Sequence, residues 1–281
     1  MGRGDFMSTP FTVSRALSVS GLVPFEAKLL LAHVLGRDRA WLAAHADEAV
    51  SAEQAKIFDA LARRRRDGEP VAYLIGRREF YGLDLEITPD VLIPRPETEL
   101  LVELTLARVP DDREIRVLDL GTGSGAVALA IAAARRKARV VGTDVSTAAL
   151  ALATRNAARL GIGNVSFVES NWFDALPRER FDLIAGNPPY VASGDPHLAE
   201  GDLRHEPQQA LTPGGDGLRA IRAIVAAAAA HLAPGGWLLL EHGHDQADAV
   251  GELFRGAGFA DVGAARDLAG ILRVSYGRNR S

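Results

Sequence analysis

Not one residue of this chain is a cysteine, which excludes disulfides, thiolate zinc sites and cysteine nucleophiles together. An excess of positive charge is also missing. The formal net charge of -4 gives no bulk field for wrapping long nucleic acid, so only a local basic patch is left to consider. Long apolar runs are absent as well. The alanine-rich stretches 127–134 and 223–230 are too short, or too close to charge and to Pro-Gly, to span a bilayer. The opening "MGRGDFMSTP" has no apolar signal core, and Phe6 breaks the myristoylation pattern. The expectation is a cytoplasmic protein with no membrane partner. What is present, 47% hydrophobic and 24% charged residues in a chain of 281, is the balance of a soluble globular protein with one large or two ordinary domains.

The rhythm of the chain changes along its length. Up to about residue 75, "SRALSVSGLVPFEAKLLLAHVLG", "DRAWLAAHA" and "SAEQAKIFDALARRRRDG" place apolar residues at three- and four-residue spacing. Pro24 stands at a helix start, Gly36 and Gly68 at helix ends, and Ser51 as a cap. A small all-helical domain over 1–75 is expected. "REFYGLDLEITPDVLIPRPETE" then alternates around a Pro-Asp turn, which suggests a β-hairpin or extended linker over 76–97. From residue 98 onwards the strands "RVLDL", "ARVVGTD", "VSFVES", "FDLIAG" and "GWLLLEHG" alternate with helical stretches. Such units specify an α/β domain over 98–281, with a mostly parallel sheet covered by helices. The tail "FADVGAARDLAGILRVSYGR" reads as a final hairpin, and no internal repeat is evident.

"LDLGTGSGA" sets Gly121, Gly123 and Gly125 directly after a strand and at the mouth of a helix. Glycine there allows a sharp turn and a close approach of backbone to ligand, although a tight strand–helix packing turn uses the same residues. With Ala126 the loop also satisfies the looser dinucleotide pattern. Asp119, inside the strand where packing alone would put an aliphatic residue, can meet the amino group of an amino-acid-like ligand. Asp144 ends the second strand, where its carboxylate can accept both hydroxyls of a ribose. A cofactor with adenosine and an amino-acid tail but no pyrophosphate fits both, and that is S-adenosyl-L-methionine. Trp172, in the polar loop "ESNWFDAL", offers a face to adenine with Asn171 near the exocyclic amine; simple packing under the loop is the other reading.

"NPPY", Asn187-Pro188-Pro189-Tyr190, closes the fourth strand. Ligands of such sheets bind at the carboxyl ends of strands where their order reverses. If the first and fourth strands are neighbours, the glycine loop and this motif open onto one crevice. A planar amide or aromatic amine is a poor nucleophile because its lone pair is delocalised. The Asn187 side-chain carbonyl and the Pro188 backbone carbonyl can accept its two N–H bonds and aim the lone pair at a methyl group, while Tyr190 stacks on the plane. The prolines stiffen the backbone and remove competing donors, as they would in a purely structural turn. Rate would then come from alignment and electrostatics, with Asn187, Pro188 and Tyr190 as the catalytic set.

Together "GNPPYV", "LDLGTGSGA", "FYG", "IPRPETE" and "EPQQAL" resemble the PrmC/HemK family, the protein-glutamine N5-methyltransferases that modify bacterial class 1 peptide chain release factors. The resemblance runs from about residue 70 to the end; the N-terminal region agrees in helical character. It implies a Rossmann-like class I S-adenosylmethionine methyltransferase sheet of seven strands, the last antiparallel, beside a small all-helical N-terminal substrate-recognition domain. It implies methyl transfer to the side-chain amide nitrogen of glutamine in a Gly-Gly-Gln motif, leaving S-adenosyl-L-homocysteine. By position, Gly121, Thr122, Gly123, Ser124, Gly125, Asp144, Trp172 and Asn187 would bind the donor. Asn187, Pro188, Pro189 and Tyr190 would hold the glutamine. "FYG" and "IPRPETE", with Phe80, Tyr81, Arg95, Glu97 and Glu99, would shape its entrance. A monomer that binds release factors and no stable nucleic acid is expected.

Three features carry weaker signals. "EHGHDQ" (Glu241, His242, His244, Asp245) has the look of a metal set, but the chemistry has no use for one, and a structural or site-rim role is expected. The run Arg63-Arg64-Arg65-Arg66 suits the negative end of a helix dipole, with an acidic protein partner as the alternative. "HLAEGDLRHEPQQAL", with His205 and Glu206, is a lid or a stiffened loop. NPPY alone is shared with DNA amino-methyltransferases, so a DNA or RNA amino-methyltransferase is the competing enzyme, requiring a basic reading region and a pocket for a flipped base. A non-catalytic adaptor docking through the helical domain is the reading from a different class.

Overall fold

The computed structural model describes residues 11–177 and 179–280, so the stretch "MGRGDFMSTP" lies outside the described residues. Two compact units divide the chain at Gly76–Arg77.

The first unit is helical because its apolar residues repeat at helical spacing and its termini are capped. Its helices are α1 (Val13–Val19), α2 (Pro24–Leu35), α3 (Arg39–Ala44), α4 (Ala52–Arg66) and α5 (Val71–Ile75). Pro24 takes the first turn of α2, where its missing N–H costs nothing, and Gly36 ends that helix at φ 61°. Ser51 and Gln54 form a reciprocal capping box on α4. Leu30, Leu31, Phe58 and Leu74 are among the buried residues of its core. The arginine run is engaged inside this unit. Arg65 pairs with Glu26 at 2.7 Å, Arg64 with Glu69, Arg63 with Asp59, and Arg66 donates to the Ser20 carbonyl. Two of the four therefore fasten α4 to the α1–α2 corner.

The second unit opens with β1 (Arg77–Phe80) and β2 (Leu83–Glu86), an antiparallel hairpin. Its turn is Tyr81-Gly82, at φ 50° and 76°, rather than the Pro-Asp pair that the alternation suggests. Two successive left-handed residues match the right-handed twist of a two-residue hairpin, and side chains hold them there: Glu99 accepts from the Tyr81 N–H and Glu79 from the Gly82 N–H. A 3-10 turn, Pro96–Thr98, leads into α6 (Glu99–Leu106).

Next come β3 (Ile115–Leu120), α7 (Ala126–Ala134), β4 (Ala138–Asp144), α8 (Thr147–Leu160), β5 (Val165–Glu169) and β6 (Phe181–Gly186). After β6 follow α9 (Gln208–Leu211), α10 (Arg219–His231), β7 (Leu232–Glu241), α11 (Ala247–Gly256), β8 (Ala260–Arg266) and β9 (Leu272–Arg278). The sheet order is β5-β4-β3-β6-β7-β9-β8. All neighbours are parallel except those of β9, the last strand, which is antiparallel to both β7 and β8. The chain moves outward from β3 to β5 and then returns to place β6 on the other side of β3. That reversal opens a crevice at the carboxyl ends of β3 and β6.

Leu118, Leu120, Phe181, Ile184, Ile221, Leu238 and Phe254 are buried together in the core that joins β3, β6 and β7 to α10 and α11. Asn156 on α8, fully buried, accepts from the Glu86 N–H and donates to the Glu86 and Ser124 carbonyls, tying the hairpin to the glycine loop. Among the described residues no helix is long and apolar enough to cross a membrane.

Candidate active site

The glycine loop takes its shape from contacts beneath it. Asp119, 2% exposed, accepts from the Thr122 hydroxyl at 2.7 Å and the Ala128 N–H at 3.2 Å. It therefore ties the loop to the first turn of α7. Burial pushes its carboxyl up to about 7 against the pull of those two hydrogen bonds. Thr122 and Ser124 are buried with it. Gly125 has φ 84°, and a Cβ there would stand 3.1 Å from both Ala153 and Leu129, so conformation and space both select glycine.

Asp144 holds the loop from the other side. One carboxylate oxygen accepts from the Gly123 N–H and the other from the Ser146 N–H, each at 2.9 Å. Trp172 sits at φ 52° in a turn braced by Ser170, whose hydroxyl donates to the Trp172 carbonyl and accepts from the Ala175 N–H. Its ring packs against the core, and the residue also lines the crevice.

The crevice is a cavity of about 520 Å³ whose walls include Gly121, Gly123, Asp144, Trp172, Asn187 and Pro189. The glycine loop, the end of β4 and the NPPY segment therefore share one space. Asp119 lies below it and is not part of its lining, and Pro188 is buried. Asn187 donates through Nδ2 to the Thr98 hydroxyl at 3.1 Å. Its Oδ1 receives no hydrogen bond from any described residue, which leaves an acceptor at the cavity wall. Tyr190 donates to Glu241 at 3.1 Å, and burial together with that carboxylate holds its phenol well above the usual range.

Two sets of contacts were not legible in the motifs. The structural role expected of "EHGHDQ" falls on its first two residues, which are buried, while His244 and Asp245 are exposed. Glu241 lies buried under Tyr190, and Gln246 donates to the Tyr190 carbonyl at 3.0 Å while accepting from the Gly243 N–H. His242 bonds the Gly243 carbonyl and Ser275, and burial pushes its imidazole below the usual range. The signal was available, since β7 is the parallel neighbour of β6 and its end must abut the NPPY segment. The second set joins distant motifs. Glu206, with a fully buried side chain, pairs with Arg95 and accepts from the Ile93 N–H at 2.9 Å, so "EPQQAL" is latched onto "IPRPETE". His205 beside it is exposed.

Fold and site together define the class, a methyltransferase. Residues 97–218 match the family model described as Methyltransferase small domain, and residues 13–76 match PrmC N-terminal domain. The fold is shared with a methyltransferase from Pyrococcus furiosus at a TM-score of 0.55, with 20% identity over 78% of this chain and 98% of that one. The chain belongs, more narrowly, to the release factor glutamine methyltransferases. It is 54% identical to the proteins of that name from Xylella fastidiosa, over 90% of this chain and 92% of that one, and from Burkholderia pseudomallei, over 96% and 97%.

Proposed function

We propose that this protein transfers the methyl group of S-adenosyl-L-methionine to the N5 amide nitrogen of the glutamine in the Gly-Gly-Gln motif of class 1 peptide chain release factors. The observation that carries the reading is the free Oδ1 of Asn187 at the wall of a cavity it shares with the glycine loop. An amide N–H needs an acceptor there, and a fixed acceptor costs no reorganisation during reaction.

The cavity suits the donor. Gly123 has no atom within 4 Å of the place where a Cβ would be, so the loop leaves open backbone against which a ligand can lie. Asp144 would take the ribose hydroxyls, Trp172 the adenine, and Gly121 to Gly125 the amino-acid tail, with Asp119 beneath them. When bound, the donor supplies an electrophilic methyl on a sulfonium. The chain's own residues do the rest. Asn187 Oδ1 and the Pro188 carbonyl orient the glutamine amide, Pro189 and the buried Pro188 keep that backbone rigid, and Tyr190 flanks the plane.

Within this reading, residues 1–75 form the substrate-recognition domain, 76–97 a hairpin linker and 98–281 the methyltransferase domain. The family-model match over 13–76 and the division at Gly76 support the first of these boundaries. A cytoplasmic monomer without a bound metal or nucleic acid completes the reading. The deciding experiment incubates the protein with labelled donor and, separately, release factor and duplex DNA. One added methyl on the Gly-Gly-Gln peptide is expected; label on DNA alone would overturn the reading in favour of a nucleic-acid amino-methyltransferase.

A further inference from the structure

One carboxylate anchors a long exposed stretch of this chain. From Val191 to Ala210, which run from the end of the NPPY segment into α9, Glu206 alone is buried. Before α9 the stretch holds two 3-10 turns, Pro196–Ala199 and Leu203–His205, and no strand. An apolar residue would be the ordinary anchor, since burying a carboxylate costs free energy unless it is paired. Here the pairing is complete. The Glu206 side chain is 0% exposed, its Oε2 accepts from the Ile93 N–H at 2.9 Å, and its Oε1 accepts from the Arg95 guanidinium.

Both ends of this contact border the cavity. Ile93 follows Leu92, and Glu206 precedes Pro207 and Gln209, all three lining the space shared by Asp144 and Trp172. Ile93 and Glu206 lie 113 residues apart in the chain, so two separate walls meet at one carboxylate. That carboxylate has two settings. With Arg95 and the Ile93 N–H in place it stays in a dry site and the walls are joined. Without them its charge goes to water and takes the wall at 207–210 with it.

We propose that Glu206 is a positioning residue for the methyl donor. Its paired carboxylate holds the two walls together around the ligand, and donor and product pass only when it withdraws from Ile93 and Arg95. The proposal rests on the donor reading of the cavity given above. It gives Arg95 a part in retaining the donor, although the motif around it reads as an entrance for glutamine. The segment is suited to such movement. Its residues are mostly exposed already, so little apolar surface is uncovered when it shifts, and the cost of opening lies mainly in the contacts of the carboxylate.

The test compares wild type with Arg95→Met, Arg95→Lys, Glu206→Ala and the double variant carrying Arg95→Met and Glu206→Ala. Dissociation of S-adenosyl-L-homocysteine is followed by tryptophan fluorescence, since Trp172 lines the cavity. Calorimetry gives donor affinity and stoichiometry, and tryptic cleavage after the exposed Arg204 reports on the segment in the enzyme without ligand. Arg95→Met and Glu206→Ala should release product about tenfold or more faster at unchanged stoichiometry. Arg95→Lys keeps the charge and should fall between wild type and Arg95→Met. The double variant should be no faster than Glu206→Ala, because both changes remove one contact. Cleavage after Arg204 should speed in the same order. Wild-type release rates in Arg95→Met and Glu206→Ala would overturn the proposal. So would a lower stoichiometry with an unchanged release rate, the mark of a pair that only stabilises the fold. Should Glu206→Ala fail to fold, the two Arg95 variants decide alone. A wild type that binds neither donor nor product would reject the donor reading of the cavity, and this proposal with it, a result distinct from unchanged rates in the variants.

Discussion

Asn187 and Asp144 line one cavity and each brings a side-chain oxygen to it, yet their losses should read differently. On the proposed reading, Asn187→Ala removes the acceptor that would face the reacting amide. Single-turnover transfer to release factor should fall by about 10²–10³-fold, while calorimetry shows donor affinity weakening far less. Asp144→Ala removes a carboxylate that supports the Gly123 N–H and, on the proposed reading, would take the ribose hydroxyls. Donor Kd should rise by about tenfold or more, the equivalent of one or two charge-assisted hydrogen bonds, and saturating donor should restore most of the transfer rate. Equal effects of the two variants on donor affinity would contradict this division of roles. Asp119, by contrast, could be picked from the sequence as unusual but not placed. A carboxylate inside a strand signals a site, and only the structure shows it bracing Thr122 and Ala128 under the loop.

At the scale of elements, the alternation of strands and helices was legible because a parallel sheet buried on both faces needs short apolar runs. The reversal of strand order after β5 followed from the fold class rather than from any residue. What could not be read were contacts between motifs far apart in the chain: Glu206 with Arg95, Gln246 with Tyr190, Asn156 with Glu86. Polar residues at such points look like ordinary loop residues until the partner is known. The turn of the hairpin was misplaced for a related reason. Pro-Asp is a strong local turn signal, whereas the left-handed Tyr81 is supported by Glu99, from another element, which accepts its N–H.

Gly217 shows the same dependence. Its φ is 80°, and a Cβ there would lie 2.2 Å from the Tyr190 carbonyl oxygen and 2.9 Å from Gln246 Nε2. Gly217→Ala should force the 214–218 turn away from the NPPY backbone. Transfer should fall by about tenfold or more, with about 1–3 kcal/mol lost from stability in thermal melts. A wild-type melting curve and rate would show that the turn can yield without disturbing Tyr190.

For the molecule as a whole, pH pulls on two buried acids in one direction. Asp119 and Glu241 titrate at about 7 in the fold, well above the ordinary range expected of them unfolded. Between those limits the native state holds protons that the unfolded chain has released. The stability from these groups is therefore complete below about pH 4 and lost as pH rises through about 7, by on the order of a few kcal/mol in all. Exposed acids such as Asp216, lowered to about 2 by Arg222 and the Leu218 N–H, act oppositely and lose their contribution at lower pH. Asp119→Asn should flatten the decline in stability between about pH 5 and 8 seen by urea denaturation, and an undiminished slope would show that Asp119 is ionised in the native state across that range.

The latch between Glu206 and the Arg95 segment has a consequence for measurement. The Ile93 amide proton is spoken for by a carboxylate 113 residues further along the chain. It cannot exchange with deuterium unless that carboxylate withdraws, so one backbone proton at position 93 gauges how often the segment around residue 206 lifts. Arg95→Met, which strips the carboxylate of its counter-charge, should speed exchange at Ile93 by about tenfold or more while leaving the β3 and β6 amides slow. Unchanged exchange at Ile93 would mean that the segment opens without letting go of it. In the native enzyme the same proton becomes a clock, timing how often the segment at residue 206 parts from the strand-free stretch it adjoins.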